Sequence, residues 1–147
     1  MKISSPVFLD NQKIPNKFSC DGENVNPPLA FSEIPQNSKS LVLIVDDPDA
    51  PNGDFTHWVV INIDPTVREI PQNSVPKGGM EGITSRGVAG WVSPCPPSGV
   101  HRYVFKLCAL DSILNLSSNA DKNAVEQAME GHVIEKAEII GLYSRPA

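Results

Sequence analysis

Four apolar runs, separated by polar and proline-rich stretches, dominate the pattern of the chain. Three of them, residues 41–45, 58–63 and 104–110, are rich in β-branched residues or leucine and are bounded by polar residues. Short runs of this composition predict β-strands. Because residues 41–45 are continuously apolar and residues 58–63 are interrupted only by Asn62, we expect central strands that are buried on both faces. Residues 137–143 predict a final strand.

Only one segment has the pattern of a helix, near residues 121–129. Asp121 and its two predecessors are candidate N-cap residues, and Asn123 with Glu126 has capping-box spacing. Gly131 lies where a residue that terminates a helix is expected. The sequence therefore predicts a mainly β protein with one or two short helices near the C-terminus.

Length and composition predict a single domain spanning residues 1–147. The 14 prolines and 10 glycines fall between the apolar runs, as turns do in a loop-rich β protein. Residues 64–90 form a long, weakly patterned segment, with Gly78, Gly79 and Gly82 as candidate hinges. A lid over a site and an irregular loop without a role both remain open for this segment.

Charge and apolarity restrict the partners and the compartment. The formal net charge of −5 argues against nucleic acid or an anionic membrane as the main partner. No apolar stretch approaches the roughly 18 residues of a membrane span, and the first residues lack the apolar region of a secretory signal. We therefore expect no stable membrane insertion and a cytoplasmic location.

The cysteines agree with that location. Cys20, Cys95 and Cys108 are odd in number and have no C-x-x-C spacing. We expect neither a disulfide framework nor a structural zinc site.

A short acidic motif follows the first predicted strand, and its sequence is Asp47-Pro48-Asp49-Ala50-Pro51. Proline fixes φ and favours an extended conformation in the residue before it, so both aspartates are held near the end of the strand. Two further strand starts carry His57 and His101, the second after the proline-rich segment 94–100. We expect these acidic and histidine side chains to surround a preorganised pocket for a small ligand.

Alternation along the third predicted strand refines this picture. His101 and Tyr103 should share one face, and Arg102 should lie on the other, where it could pair with a carboxylate. Cys95, flanked by prolines, is better explained as part of a wall than as a nucleophile. The sequence contains no G-x-S-x-G elbow that would indicate serine catalysis.

Other interpretations of the same residues remain open. Asp-Pro pairs commonly end strands, and a histidine beside a tryptophan is often structural. An alternative from another class is a metal-dependent hydrolase, with Asp47, Asp49, His57 and His101 as the metal ligands.

Several segments together carry a family resemblance over nearly the whole chain. They are Asp47-Pro48-Asp49-Ala50-Pro51, Thr56-His57-Trp58, Cys95-Pro96-Pro97, Gly99-x-His101-Arg102-Tyr103 and Gly141-x-Tyr143. The chain resembles the phosphatidylethanolamine-binding protein (PEBP) family, in its bacterial and archaeal Raf-kinase-inhibitor-like branch (YbhB/YbcL type).

The resemblance implies a large antiparallel sheet packed against a smaller one, and an anion pocket without a cofactor or metal. It implies that the ligand-binding residues are Asp47, Asp49, Pro51, His57, Cys95, Pro96, Pro97, His101 and Tyr103. The expected ligand is a phosphate-like anion or a phosphorylated head group, bound without catalysis. A kinase or protease partner and a homodimer are further expectations from the family.

Binding an anion beside aspartates requires positive charge or protons in the pocket. Two unit charges about 4 Å apart repel by about 4 kcal/mol at an effective dielectric constant of about 20. We therefore expect His57 and His101 to supply the positive charge. The neighbouring carboxylates should raise the pKa of both imidazoles.

Overall fold

The computed structural model describes residues 1–147, which form two β-sheets and one α-helix. The small sheet has the strand order β1-β3-β6, and the large sheet has the order β2-β9-β8-β4-β5-β7. The strands are β1 (Lys2–Ser4), β2 (Gln12–Lys13), β3 (Leu29–Ser32), β4 (Ser40–Asp47), β5 (Phe55–Ile63), β6 (Glu69–Ile70), β7 (Met80–Glu81), β8 (His101–Leu110) and β9 (Val133–Tyr143). The helix α1 spans Lys122–Met129. The predicted mainly β fold, with a large sheet packed against a smaller one, is confirmed.

All four predicted strong strands are present, and each is longer than the sequence pattern indicated. β4 lies between β5 and β8 and pairs antiparallel with both. Every residue of β4 is buried. Its continuous apolarity follows from this position, because a core packs on each of its faces.

Alternate residues of β4 contribute to two separate cores. Leu41, Leu43 and Val45 point into the larger core, which also contains residues of the small sheet. Val42 and Ile44 point into a second core on the opposite face, where α1 packs through Val125 and Met129. The large sheet is therefore a middle layer, with the small sheet on one side and the helix on the other.

The helix begins one residue later than expected. Asp121 is the N-cap, and its Oδ1 accepts the Ala124 N–H at 2.9 Å. The expected capping box at Asn123 and Glu126 is wrong, because Asn123 already lies inside the helix. No helix here has the length and apolarity that crossing a bilayer requires.

Residues 64–90 do not form a lid over the pocket described below. The segment supplies β6 to the small sheet and β7 to the edge of the large sheet. Gly79 and Gly82 allow close packing rather than hinge motion. A Cβ would lie 2.7 Å from Val60 Cγ1 at Gly79, and 2.5 Å from the Ala120 carbonyl oxygen at Gly82.

Candidate functional site

A pocket opens at the edge of the large sheet where β4 ends and where β5 and β8 begin. Antiparallel pairing brings these three ends together, because Asp47 pairs with Phe55 and Asp46 with Val104. Adjacent aspartates of β4 point to opposite faces. Asp46 faces the helix side and contacts Lys106 and Lys122, whereas the next residue, Asp47, lines the pocket.

The cavity has a volume of about 180 Å³, roughly that of six liquid water molecules. It can hold a small polar group rather than a whole lipid. Its lining residues are Asp47, Ala50, Pro51, Phe55, His57, Val92, Ser93, Cys95, Pro96, Pro97, His101 and Tyr103. Eight of the nine residues expected at the site therefore line one cavity; that they bind a ligand stays a prediction.

The ninth residue, Asp49, does not line the cavity. Its carboxylate accepts two hydrogen bonds from the Arg102 side chain, at 2.9 and 3.0 Å, and a third from the Arg102 backbone N–H. These bonds to Arg102 lower the pKa of Asp49 to about 2. Arg102 pairs with a carboxylate on the face opposite His101, as alternation predicted. The pair tethers the Asp-Pro-Asp loop to the start of β8.

Asp47 and His101 form a buried pair. His101 Nδ1 lies 2.7 Å from Asp47 Oδ2, and both side chains are less than a tenth exposed. Asp47 Oδ1 accepts the backbone N–H of Asp49 at 2.8 Å. Since a carboxylate accepts, His101 donates from Nδ1, and its Nε2 has no hydrogen-bond partner within the protein.

His57 is fixed in the same way through a different partner. Its Nδ1 lies 2.7 Å from the Val92 carbonyl oxygen. A carbonyl only accepts, so Nδ1 carries the proton. The ring lies between Phe55, with centroids 4.8 Å apart, and Tyr103, with centroids 5.2 Å apart. Its position on β5 and these two rings set the direction in which Nε2 points.

The expectation that the carboxylates raise the pKa of His57 is wrong. Burial of the ring lowers its pKa below the ordinary value, and this outweighs the opposing effects of the Val92 carbonyl and of Asp47 and Asp46. His57 is therefore neutral at neutral pH. With its proton on Nδ1, it presents a bare Nε2 acceptor.

Tyr103 adds a neutral hydroxyl to the wall. Burial, followed by the negative charge of Asp47, raises its pKa well above the ordinary value. The residue is 1% exposed, and with this raised pKa the phenol stays protonated and can donate a hydrogen bond.

The expectation that the chain forms no disulfide is wrong. Cys20 and Cys95 are joined by a disulfide bond across a sequence separation of 75 residues, and only Cys108 is free. Cysteine count and spacing did not predict this bond, because a contact between segments that are distant in sequence leaves no local spacing pattern. Cys95 lines the pocket as expected, but it has no free thiol that could act as a nucleophile.

Phe55, Val92, Ser93 and Ala50 line the pocket and were not anticipated. Alternation could have identified Phe55, which precedes His57 by two residues on the same strand. No group of three or more His, Cys, Asp or Glu side chains is arranged to hold a metal ion. The metal-dependent hydrolase alternative therefore lacks a ligand set, since Asp49 is engaged with Arg102.

Comparisons with known proteins show the family to which this chain belongs. The sequence model described as phosphatidylethanolamine-binding protein matches residues 4–144. A UPF0098 protein of Methanothermobacter thermautotrophicus is 47% identical over 150 residues, covering 99% of each chain. A UPF0098 protein of Pyrococcus horikoshii is 49% identical, covering 99% of this chain and 77% of the relative.

Solved structures show the same relationship. A PEBP homologue from Chlamydia trachomatis superposes with a TM-score of 0.96 at 38% identity, covering 99% of this chain and 97% of the other. E. coli YbcL, described as a new member of the mammalian PEBP family, gives a TM-score of 0.91 at 30% identity, covering 99% and 98%. The chain belongs to the phosphatidylethanolamine-binding protein family.

Proposed function

We propose that the pocket binds a small phosphate-type anion, free or as the head group of a phosphorylated ligand, and does not turn it over. The observation that carries this proposal is the pair of histidines. Each has its Nδ1 engaged by the protein, to Val92 in one case and Asp47 in the other. Each therefore has only Nε2 left for a ligand.

Neither Nε2 atom is sealed inside the protein. Ser38 Oγ is the only fully buried side-chain nitrogen or oxygen atom without a hydrogen-bond partner. The two free Nε2 atoms belong to residues that line the cavity, so a bound group can reach them.

The protons available in the pocket favour a ligand that both donates and accepts. Neutral His57 offers an acceptor, whereas the protonated Tyr103 hydroxyl on the same wall offers a donor. A phosphate or phosphomonoester monoanion has a P–OH group that can donate to the His57 acceptor and anionic oxygens that can accept from the donor. The second ionisation of a phosphomonoester lies near pH ~6, and that of free phosphate lies higher, so the monoanion is accessible for both.

The remaining wall supports binding without a folding step. Pro51, Pro96 and Pro97 restrict the backbone on two sides of the cavity, and the Tyr103 hydroxyl adds a donor. A pocket that is already formed loses less conformational entropy on binding.

The same residues do not suggest catalysis. A nucleophile would need a neighbouring base that is itself oriented by a third group. Cys95 is bonded to Cys20, and the base-like Nε2 atoms have no protein nucleophile beside them. We expect no hydrolysis of a chromogenic phosphomonoester above the buffer rate.

Calorimetric titration with inorganic phosphate near pH 6 tests the proposal. We expect the His101→Ala variant to bind at least about tenfold more weakly than the wild type, a loss of about 1.4 kcal/mol. The matched control is Arg102→Gln, one residue away on the opposite face of β8, which should keep its affinity. Equal binding by the wild type and His101→Ala, or no binding at about 10 mM phosphate, would reject the proposal.

A further inference from the structure

The loop that forms one wall of the pocket is almost free of hydrogen bonds. On its N-terminal side, Val92 N–H donates to the His57 carbonyl at 2.9 Å, and the Pro94 carbonyl accepts the Cys20 N–H at 3.1 Å. The next residue held by hydrogen bonds is His101, where β8 begins. Residues 95–100 make no hydrogen bond with the rest of the protein.

One covalent bond restrains this stretch. The disulfide joins Cys95 to Cys20, immediately before Pro96 and Pro97, which line the pocket. Beyond the disulfide, the loop before β8 is shaped by buried Pro96, by the fixed φ of Pro97 and by the turn at Gly99. The position of this wall therefore depends on the cross-link.

The two ends of the disulfide are held very differently. Next to Cys20, the fully buried Ser19 Oγ contacts the Tyr143 hydroxyl at 2.7 Å and the Asn16 carbonyl at 2.8 Å. The Tyr143 hydroxyl also donates to Asp21 at 2.7 Å, and Arg145 binds the same carboxylate. Cys20 is thus anchored on both sides, whereas Cys95 has an unbonded loop on its C-terminal side.

The disulfide is also within reach of solvent. Cys20 and Cys95 are both exposed residues, and Cys95 faces the open cavity. Exposed disulfides are the ones that thiols attack most readily, because attack requires access of a thiolate to one sulfur atom. The free cysteine, Cys108, is buried in the core beside α1 and takes no part.

We propose that Cys20–Cys95 is a thiol-exchange site that fixes the pocket loop when it is oxidised and releases it when it is reduced. A small thiolate attacks one sulfur, forming a mixed disulfide as the S–S bond breaks and the other cysteine leaves as a thiolate. A second thiol attacks the mixed disulfide. The products are two cysteine thiols and one small-molecule disulfide, so two electrons pass from the thiols to the protein.

Reduction of the disulfide frees the loop and leaves the sheet in place. Asp47, His57, His101 and Tyr103 are positioned by β4, β5 and β8. Pro96 and Pro97 would lose the restraint that holds them over these residues. Reduction therefore opens one side of the pocket while its histidines stay where they are.

The first test is the kinetics of reduction by dithiothreitol in native buffer. Alkylation in denaturant after quenching counts the thiols, which should rise from one, Cys108, to three once Cys20 and Cys95 are reduced. We expect a rate proportional to the thiol concentration and faster than global unfolding measured separately. A rate that equals the unfolding rate at every thiol concentration would overturn the proposal.

The second test compares backbone dynamics of oxidised and reduced protein by ¹⁵N relaxation. In the reduced form, the order parameters of the Cys95 and Ser98 amides should fall below about 0.6, while those in β4 stay near about 0.85. Unchanged values in the loop, or an equal loss in β4, would overturn the proposal.

A Cys20→Ala/Cys95→Ala variant should match the reduced form and should not respond to dithiothreitol. If this variant fails to fold, the comparison of oxidised with reduced wild-type protein still tests the proposal. No ligand is needed, so the outcome is independent of whether the pocket binds phosphate.

Discussion

The two halves of the pocket wall are built by different kinds of interaction. The sheet half, made of Asp47, His57, His101 and Tyr103, is at most 7% exposed and lies on strands paired along their length. The loop half, made of Cys95, Pro96 and Pro97, has no hydrogen bonds to the rest of the protein and is held by one disulfide. Long-range strand pairing thus positions the polar side chains of the pocket, and a disulfide determines the position of the loop that forms the other wall. We therefore expect different perturbations to disrupt the two halves of the wall.

The largest expected effect comes from removing the tether. For a loop closed over a sequence separation of 75 residues, the chain-entropy model gives a loss of about 4.5 kcal/mol in unfolding free energy. We expect a loss of this size for Cys20→Ser/Cys95→Ser in guanidinium chloride unfolding. Reductant should lower the wild type to the level of the variant and leave the variant unchanged. A loss under about 1 kcal/mol would contradict the stabilisation assigned to this cross-link.

The next effect tests the sheet half. Asp47→Asn keeps an acceptor for the Asp49 N–H but replaces the charged partner of His101. A charge-assisted buried hydrogen bond contributes about 2 kcal/mol, so we expect a loss of that size in chemical unfolding and weaker phosphate binding. The disulfide should still form, as alkylation mass spectrometry would show. Unaltered stability together with unaltered binding would contradict the role given to this pair.

A smaller effect is expected at the second aspartate of the same motif. Asp49 pairs with Arg102 in a half-exposed position, so Asp49→Asn should cost only about 1 kcal/mol and should leave phosphate affinity unchanged. The pKa of Asp49 is lowered from 3.8 to about 2. Its contribution is therefore complete above pH 3.8 and is lost as the pH falls towards 2. The free energies of unfolding of wild type and variant should converge as the pH falls from 3.8 to about 2. A difference that stays constant over this range would contradict the role assigned to the Asp49–Arg102 pair.

The smallest expected effect is the pH dependence contributed by His57. Burial lowers its pKa below the ordinary value of 6.5, so the unfolded chain binds a proton more readily than the native protein. Stability from this group is complete above pH 6.5 and declines as the pH falls below it. Unfolding between pH 7.5 and 5.5, with His57→Gln as the control, should show this slope only in the wild type. A slope of the opposite sign would mean that the carboxylates outweigh burial.

Much of the fold could be predicted from the sequence because it is encoded locally. The all-buried β4 appears as a continuous apolar run, and proline and aspartate mark its end. Alternation correctly placed His101 and Tyr103 on one face and Arg102 on the other. The family motifs identified the sheet arrangement that short patterns alone could not.

The features that were missed depend on contacts between distant segments. The Cys20–Cys95 disulfide forms because the segment around Cys20 packs against the loop, and no local spacing signals that. The lowered pKa of His57 results from burial between Phe55 and Tyr103, which the sequence does not reveal. Alternation predicted that Arg102 pairs with a carboxylate, and it did not show that this carboxylate is Asp49.

The central claim is that the sheet half binds an anion through two Nε2 atoms, of which His57 presents an acceptor at neutral pH. The most direct measurement is calorimetric titration with sulfate and phosphate between about pH 5.5 and 8. Sulfate carries no proton in this range, so its affinity should rise only as the pH falls below the ordinary histidine value of 6.5 and His57 becomes protonated. Phosphate, which can donate its own proton, should bind more tightly than sulfate near pH 7. A sulfate affinity that stays constant across the range and equals that of phosphate would contradict the account.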